Sequence, residues 1–537
     1  MFGKKLGRIL EIVFLLYLAL VMIANVCLQN RFYFVYDNDC RVSNLIFVAG
    51  IVLVILVIFF FSVKRNPKII DKFGQFHDSE EIRRKRNIPL MKYVGIAAVI
   101  LFVVELIYSY IIWFETGWDC YRVVTAAKEL ALNDNKIGDS IYFSQCPNNV
   151  FLTGIFAGIL KLVKLLGLKV TTFPLIIVSD ILVSLTSFFL CDCVRMLTGK
   201  KKLVWLSFAV YVLLTGLSPW ISIPYSDTYS ILFTTLIIWI YLCKKDSNAV
   251  LCNFYMALFG FVGYMIKPSV LLAFIVVVFF DTVHYCVDLR KAGWKKMTMR
   301  FLLSLGAVVV ALLLTLLLQQ GINKATGFTP DEEAKLPIMH FFYMGTNAEF
   351  GGVYNQRDVN MTASYPTVAM KNQRDFQEGM ARLKEMFPKK LLVFTLQKGL
   401  TNFNDGTFAW GHEGTFYVTY YDKPGEVAHF VRSLVYHDGE NYGLFVVITQ
   451  AVWIFVLMLC LLNFIPQRGV DQYSDYKESA VITSMFAIFM FVMVFEARAR
   501  YLYLFSAVIY MVAMLGLNRL IELGWTIRGR KRKGNES

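Results

Sequence analysis

The chain has 537 residues, of which 57% are hydrophobic, 15% aromatic and 17% charged, with a mean hydropathy of +0.54. These values exclude an ordinary soluble domain. The formal net charge of +15 would suit a nucleic-acid partner only if the bases gathered on one folded face, and they lie instead in loops between apolar runs.

Apolar runs near or above the eighteen or so residues that cross a bilayer fall at 10–28, 45–63, 93–113, 174–196, 203–219, 228–243, 249–266, 269–287, 301–320, 443–463, 480–496 and 501–520. Alternating barrel strands are lacking, so the pattern predicts an all-α polytopic membrane protein with about twelve transmembrane helices. Lys4, Lys5 and Arg8 precede the first run, and Lys64, Arg65 and the cluster Arg83, Arg84, Lys85, Arg86 follow the second. By the positive-inside rule both regions are cytoplasmic. Lys200–Lys202, Lys244–Lys245, Arg290 to Arg300 and the tail Arg528 to Lys533 fall on the same side if 149–168 does not cross. That stretch, "NVFLTGIFAGILKLVKLLGL", carries Lys161 and Lys164 and reads as an amphipathic or re-entrant helix in the outer leaflet, its lysines snorkelling. The alternative is a thirteenth span with the rule broken downstream. The expected location is a plasma membrane, multi-pass, with both termini cytoplasmic. No cleavable signal peptide is read in the first run.

Four regions follow. Residues 1–88 form an N-terminal transmembrane hairpin and basic cytoplasmic linker. Residues 89–320 form the transmembrane core, with an acidic outer loop at 114–148. Residues 321–442 form an external region of about 120 residues, helical near 370–387, too apolar and aromatic to be a disordered tail. Residues 443–537 hold the C-terminal transmembrane helices and a basic tail. Cys40, Cys120 and Cys146 are expected outside, and a Cys120–Cys146 bridge is considered, although the odd external count argues against a framework. No zinc, P-loop or dinucleotide spacing occurs.

The outer loop reads "ETGWDCYRVVTAAKELALNDNKIGDSIYFSQCPNN". Glu115, Asp119, Arg122, Asp134, Asp139, Tyr142, Asn148 and Asn149 stand at the water boundary beside the half-inserted helix. A carboxylate there can take a proton from an acceptor hydroxyl, or Asp119 can simply cap a helix over 120–132. "GYMIKPS" and "FEARARY" put Lys267, Arg498 and Arg500 in outer turns, against the positive-inside trend. Snorkelling, or pairing of the arginines with Glu496, is the bland reading. "PWISIPYSDTYS" puts Tyr225 and Asp227 at another outer end, where Asp227 or Ser226 can cap the next helix.

In the external region, "KGLTNFNDGTFAWGHEG" offers Lys398, Asp405, Trp410, His412 and Glu413, a mixture suited to a sugar, although Asn-Asp-Gly is also a turn signal. "MGTNAEFGGVYNQRD" is expected to frame the same cavity. Of the intramembrane groups Glu11, Glu105, Asp180, Asp281 and His284, Asp180 best suits proton coupling, while Glu11, Asp281 and His284 lie near inner ends.

An outer-face Asp after an early span, an amphipathic segment, the "YFSQCPNN" stretch, and many spans with an external region together resemble the GT-C superfamily of membrane glycosyltransferases over roughly 90–520. The resemblance is to the dolichyl- or undecaprenyl-phosphate-sugar-dependent class of protein mannosyltransferases and aminoarabinose transferases. It implies a polyprenyl-phosphate-linked sugar donor, a glycan, lipid or protein acceptor, and Asp119 as general base. It implies cations such as Lys267, Arg498 and Arg500 for the departing phosphate. That class shows two acids in this loop where "WDC" has one, so Glu115, Asp134 and Asp139 compete for the second role. The N-terminal hairpin also departs from the class. A divalent cation bridging Asp119 to the phosphate is compatible with the pattern, but no ligand cluster specifies one. The competing expectations are a lipid-linked glycan flippase or other transporter, a scaffold, and a polymerase of lipid-linked glycans. Charges gathered at outer ends favour surface chemistry over a path through the bilayer.

Overall fold

The computed structural model describes residues 2–27, 43–64, 80–133, 136–244, 248–292, 294–414, 417–421, 423–466 and 472–536. Cys40, Arg65, Asp134 and Lys245 lie outside them, as do the side chains of Lys4, Lys5, the Arg83 to Arg86 cluster, Arg290 and the tail from Arg528. The fold is nearly all α-helical and polytopic. Eleven described helices are long and apolar enough to cross a membrane.

The long helices are α1 (Phe2–Cys27), α2 (Asn44–Lys64), α3 (Glu80–Ile112), α6 (Asn148–Leu165), α7 (Phe173–Thr198), α9 (Ser226–Cys243), α10 (Ala249–Ile266), α11 (Val270–Ala292), α12 (Trp294–Thr326), α18 (Tyr442–Leu461), α19 (Gln472–Val494) and α20 (Ser506–Glu536). Between them lie β1 (Phe114–Thr116), α4 (Trp118–Asn133), α5 (Ser140–Gln145) and α8 (Lys201–Tyr211). The external region holds α13 (Ile338–Gly345), α14 (Gln356–Ala363), α15 (Val368–Met386), α16 (Lys389–Phe403), β2 (Tyr417–Tyr420) and α17 (Glu426–Val435). The helix expected near 370–387 is α15.

Sequence sets each helix's place. The segment Ala499–Ile527 is buried almost throughout and forms the centre, whereas α2, a near-continuous run of Leu, Ile, Val and Phe, keeps most side chains outward, as a lipid-facing helix does. The N-terminal hairpin packs on the C-terminal end of the chain, α1 against α19 and α16, α2 against α20 and α18.

One expected span differs. The run 203–219 is not one helix, because α8 ends after 11 residues in a π-helical turn at Val212–Gly216, followed by a 3-10 turn at Pro219–Ser222. Gly216 and Pro219 are the local reason, since neither favours a continuing helix. The run 269–287 falls within α11, and Asn148–Leu165, expected as a half-inserted helix, is long and apolar enough to take a place among the eleven. The considered Cys120–Cys146 bridge does not form. Both thiols are free, and Cys120 is buried with its Sγ donating to the Pro224 carbonyl at 3.4 Å.

The external region is tied to the outer loop by a two-stranded antiparallel sheet. Phe114 pairs with Tyr420, Glu115 with Thr419 and Thr116 with Tyr417, with a bulge between Glu115 and Thr116. Bulges re-aim the chain that follows, and Trp118 and Asp119 come next.

Candidate functional site

Asp119 stands in the first turn of α4, behind Trp118, whose φ of 47° is in the left-handed region. A bulky residue there stores strain of order 1–3 kcal/mol and persists only where its surroundings hold it. The Trp118 ring meets Tyr225 edge-on at 5.0 Å and lies under the Arg500 guanidinium at 4.5 Å. Asp119 is one residue inside the helix rather than at its cap position, and the first turn closes instead from the Tyr121 N–H to the Gly117 carbonyl. The half-buried Asp119 carboxylate bears electrostatically on Tyr142, Tyr225, Cys146 and Tyr354. Burial first, then the neighbouring Tyr225 and Asp119, push the Tyr142 phenol well above its ordinary value.

Beneath Trp118 runs a network of three acids and three bases from four parts of the chain. Lys267, just past α10, is 3.0 Å from Asp227 in the first turn of α9, and Arg500 is 3.2 Å from the other Asp227 oxygen. Arg500 also lies 3.8 Å from Glu413, which Arg498 meets at 2.7 Å. Arg498 reaches Glu496 at 2.7 Å, and the Tyr501 hydroxyl donates to the same carboxylate at 2.7 Å. Aromatic faces wall the bases, with Lys267 4.2 Å from the Tyr501 ring and Arg500 5.6 Å from Trp220. Asp227, Glu413, Glu496 and Arg500 are each buried, so the charges survive by mutual compensation. Burial lowers the Lys267 amine and Asp227 opposes it. Burial would raise the Glu496 carboxyl, yet Arg498 and the Tyr501 hydroxyl hold it below its usual range.

The other expected site residues divide. Asn149 Nδ2 donates to the hydroxyls of Tyr142 (2.7 Å) and Tyr225 (3.2 Å), joining the "YFSQCPNN" stretch to the Trp118 wall, and Asn148 donates to Asn149. Arg122 stacks 4.9 Å from the Tyr142 ring and pairs with Asp139 at the surface. Asp139 also caps α5 through the Tyr142 N–H, so it serves structure. Glu115 is taken up by Lys128, Thr172 and Tyr421. Neither acid is thus left beside Asp119, and Asp134 is outside the described residues.

From the external loop Glu413 joins the ion network. Asp405 accepts from the Thr407 N–H and hydroxyl and the Ala409 N–H, closing the turn that the Asn-Asp-Gly signal predicts. Burial raises its carboxyl, against the Thr407 bonds. Trp410 is in the core, donating to the Val435 carbonyl at 2.7 Å and meeting Trp220 at 5.3 Å. The His412 ring lies 6.3 Å from His437. Lys398 is buried and donates to the carbonyls of Gly345 (2.7 Å) and Phe495 (2.6 Å), one residue before Glu496, and burial pulls its amine down to about 7. In the "MGTNAEFGGVYNQRD" stretch, Tyr354 lies under Arg498 at 5.7 Å, while Asp358 is held by Arg382.

Among the described residues no three His, Cys, Asp or Glu side chains converge as metal ligands. Sequence reasoning missed the roles of Trp118, Trp220 and Tyr501, whose one signal was aromatic residues flanking charges in outer turns.

Fold and site together define a polytopic integral membrane protein with a buried ion network at one end of its bundle. Over residues 2–521 the chain matches the family described as "Conserved hypothetical integral membrane protein", and it belongs to that family. No curated protein matches it. Among solved structures it is similar to ArnT from Cupriavidus metallidurans bound to undecaprenyl phosphate, at 11% identity and a TM-score of 0.30, over 80% of this chain and 77% of that one.

Proposed function

We propose that this protein is a membrane glycosyltransferase that moves a sugar from a polyprenyl-phosphate donor to a glycan, lipid or protein acceptor at the outer face of the plasma membrane. The observation that carries the reading is the convergence of Lys267, Arg498 and Arg500 beside Trp118 and Asp119. Bases buried or half-buried among aromatic faces, next to a half-buried carboxylate, are what transfer from a lipid phosphate demands.

In this reading Asp119 takes the proton of the acceptor hydroxyl, and the oxygen attacks the anomeric carbon from the side opposite the phosphate. The sugar–oxygen bond breaks, the electron pair leaves on the phosphate, and configuration inverts in one displacement. The three bases meet the growing negative charge. In the resting arrangement Asp227, Glu413 and Glu496 satisfy them, so the phosphate takes over contacts that carboxylates make.

The same reading keeps α6 along the outer surface beside α4. The two helices pack together, and Lys164 of α6 donates to the Ala131 (3.1 Å) and Leu132 (2.8 Å) carbonyls at the end of α4. It also retains the region boundaries at 88, 320 and 442 and cytoplasmic termini.

The test is transfer of labelled sugar by lipid-reconstituted protein across a panel of polyprenyl-phosphate sugars and acceptors. Product with inverted configuration supports the proposal. Translocation of the intact donor across the vesicle, with no transfer, would support the second reading, a lipid-linked glycan flippase or other transporter, which the two buried intramembrane acids Glu105 and Asp180 favour.

A further inference from the structure

Glu105 on α3 and Asp180 on α7 lie on two packed spans. Each is seven residues from the helix end that carries the candidate site, Ile112 and Phe173 respectively, roughly 10 Å along the axis. Ser109, one turn from Glu105, donates to Asp180 Oδ1 at 2.8 Å, and Ser184, one turn from Asp180, donates to Glu105 Oε2. The antiparallel helices thus exchange hydroxyls for carboxylates in a reciprocal pair.

That pair leaves half of each carboxylate unserved. Glu105 Oε1 and Asp180 Oδ2 are wholly buried and accept no hydrogen bond among the described residues. Other buried carboxylates in the spans have a base. Glu11 has Arg8 at 2.7 Å, Asp192 has Arg195 at 2.6 Å and Glu478 has Arg519 at 3.1 Å. Glu105 and Asp180 have no described Lys, Arg or His in an ion pair. Two uncompensated anions at this depth cost far more than a helix interface returns, so each calls for a neutralising cation.

The surroundings fit a small ion. The π-helical turn Val212–Gly216 passes beside the pair, and a Cβ on Gly216 would stand 3.1 Å from Glu105 Oε1. Such turns are frequent at functional sites. Among the described residues the titratable groups that bear on the pair are phenols: Tyr211 on α8, Tyr229 on α9 and Tyr503 before α20, with Tyr108 on α3 and Tyr510 on α20 close to Tyr503. Tyr211, Tyr229 and Tyr503 donate to the Val183, Leu175 and Thr215 carbonyls, and Tyr510 meets the Thr215 hydroxyl at 2.9 Å. From α17, Arg432 turns instead to the Ile111 and Tyr421 carbonyls. The described donors around the pair are oxygens, which suits a hard cation.

We propose that Glu105 and Asp180 form an intramembrane site at which each carboxylate is neutralised by a hard monovalent cation, a proton or a sodium ion, taken up at Glu105 Oε1 and at Asp180 Oδ2. The site is independent of the transferase reading.

The test uses full-length protein in detergent. Thermal melting is followed against pH in sodium chloride and in choline chloride, for the wild type and for Glu105→Gln and Asp180→Asn. The expected result is a melting temperature that responds to pH or to sodium in the wild type, with a smaller response in both variants, which keep the pH dependence that Lys398 contributes above pH 7. An identical response in all three would overturn the site. In parallel the wild type is treated with dicyclohexylcarbodiimide, which adds to a protonated carboxyl in an apolar setting to leave an N-acylurea that peptide mass spectrometry locates. An adduct at Glu105 or Asp180 that fades as pH rises identifies a proton. An adduct suppressed by sodium but not choline identifies sodium. If the variants do not fold, this labelling decides, and an adduct indifferent to both conditions, or none, overturns the proposal.

Discussion

The Arg500 guanidinium lies 3.2 Å from the Asp227 carboxylate, both buried, and so ties the start of the central helical segment to the first turn of α9. Replacing Arg500 by Gln leaves Asp227 with Lys267 alone and removes one of two bases from Glu413. Removing one partner of a buried pair typically costs about 3–5 kcal/mol. Arg500→Gln is therefore expected to melt far earlier than the wild type in the same detergent. Arg500→Lys keeps the charge but not the planar stacking on Trp118, and should fall between the two.

Lys398 makes stability depend on pH in a defined direction. Its amine, pulled down to about 7 in the folded protein, titrates near 10.4 in an unfolded chain. Between those values the unfolded form binds the extra proton, so stability rises with pH there, by up to about 1 kcal/mol per unit for this one group. Below 7 the term no longer changes. Lys398→Met should melt earlier throughout, because the Gly345 and Phe495 carbonyls lose their donor. The difference between its melting curve and the wild type's should widen from pH 7 to 10, and a constant difference would contradict the assignment.

Ala409 sits at a φ of 60°, next to Phe408 at 56°. The left-handed region costs a residue with a Cβ about 1–2 kcal/mol, and glycine adopts it freely. Ala409→Gly keeps the N–H that Asp405 accepts, and should stabilise the protein by about 1 kcal/mol, read as a higher melting temperature. An unchanged or lower value would mean that the methyl group's packing outweighs the strain.

The class of fold was legible because a membrane imposes long apolar runs with few alternatives. The exceptions follow from local chemistry. The run 203–219 is apolar enough to cross, but Gly216 and Pro219 break it into α8 and two tight turns, which hydropathy does not register. At the site, Lys267, Arg498 and Arg500 stood out because bases in outer turns run against the charge bias. Their acids did not. Asp227 reads locally as a cap and Glu413 as part of a turn-rich loop, and their pairing with Arg500 joins residues far apart in the chain. Asp119 reads equally well as cap or base, and its separation from the cap position depends on the left-handed Trp118, which no sequence pattern announces. Glu105 and Asp180 are each conspicuous in an apolar run, yet the crossed bonds with Ser184 and Ser109 belong to helix packing.

The measurement that bears most directly on the central claim compares wild type with Asp119→Asn, both reconstituted in lipid, for transfer of labelled sugar from polyprenyl-phosphate donors. A thermal melt runs alongside. Asp119 is half-buried and caps no helix, so the variant should melt as the wild type does. Its transfer should fall by roughly 10²–10⁴-fold, the usual contribution of a general base. Equal transfer by the two proteins would contradict the account by removing Asp119 from the chemistry, and a variant that melts early would return it to a structural role.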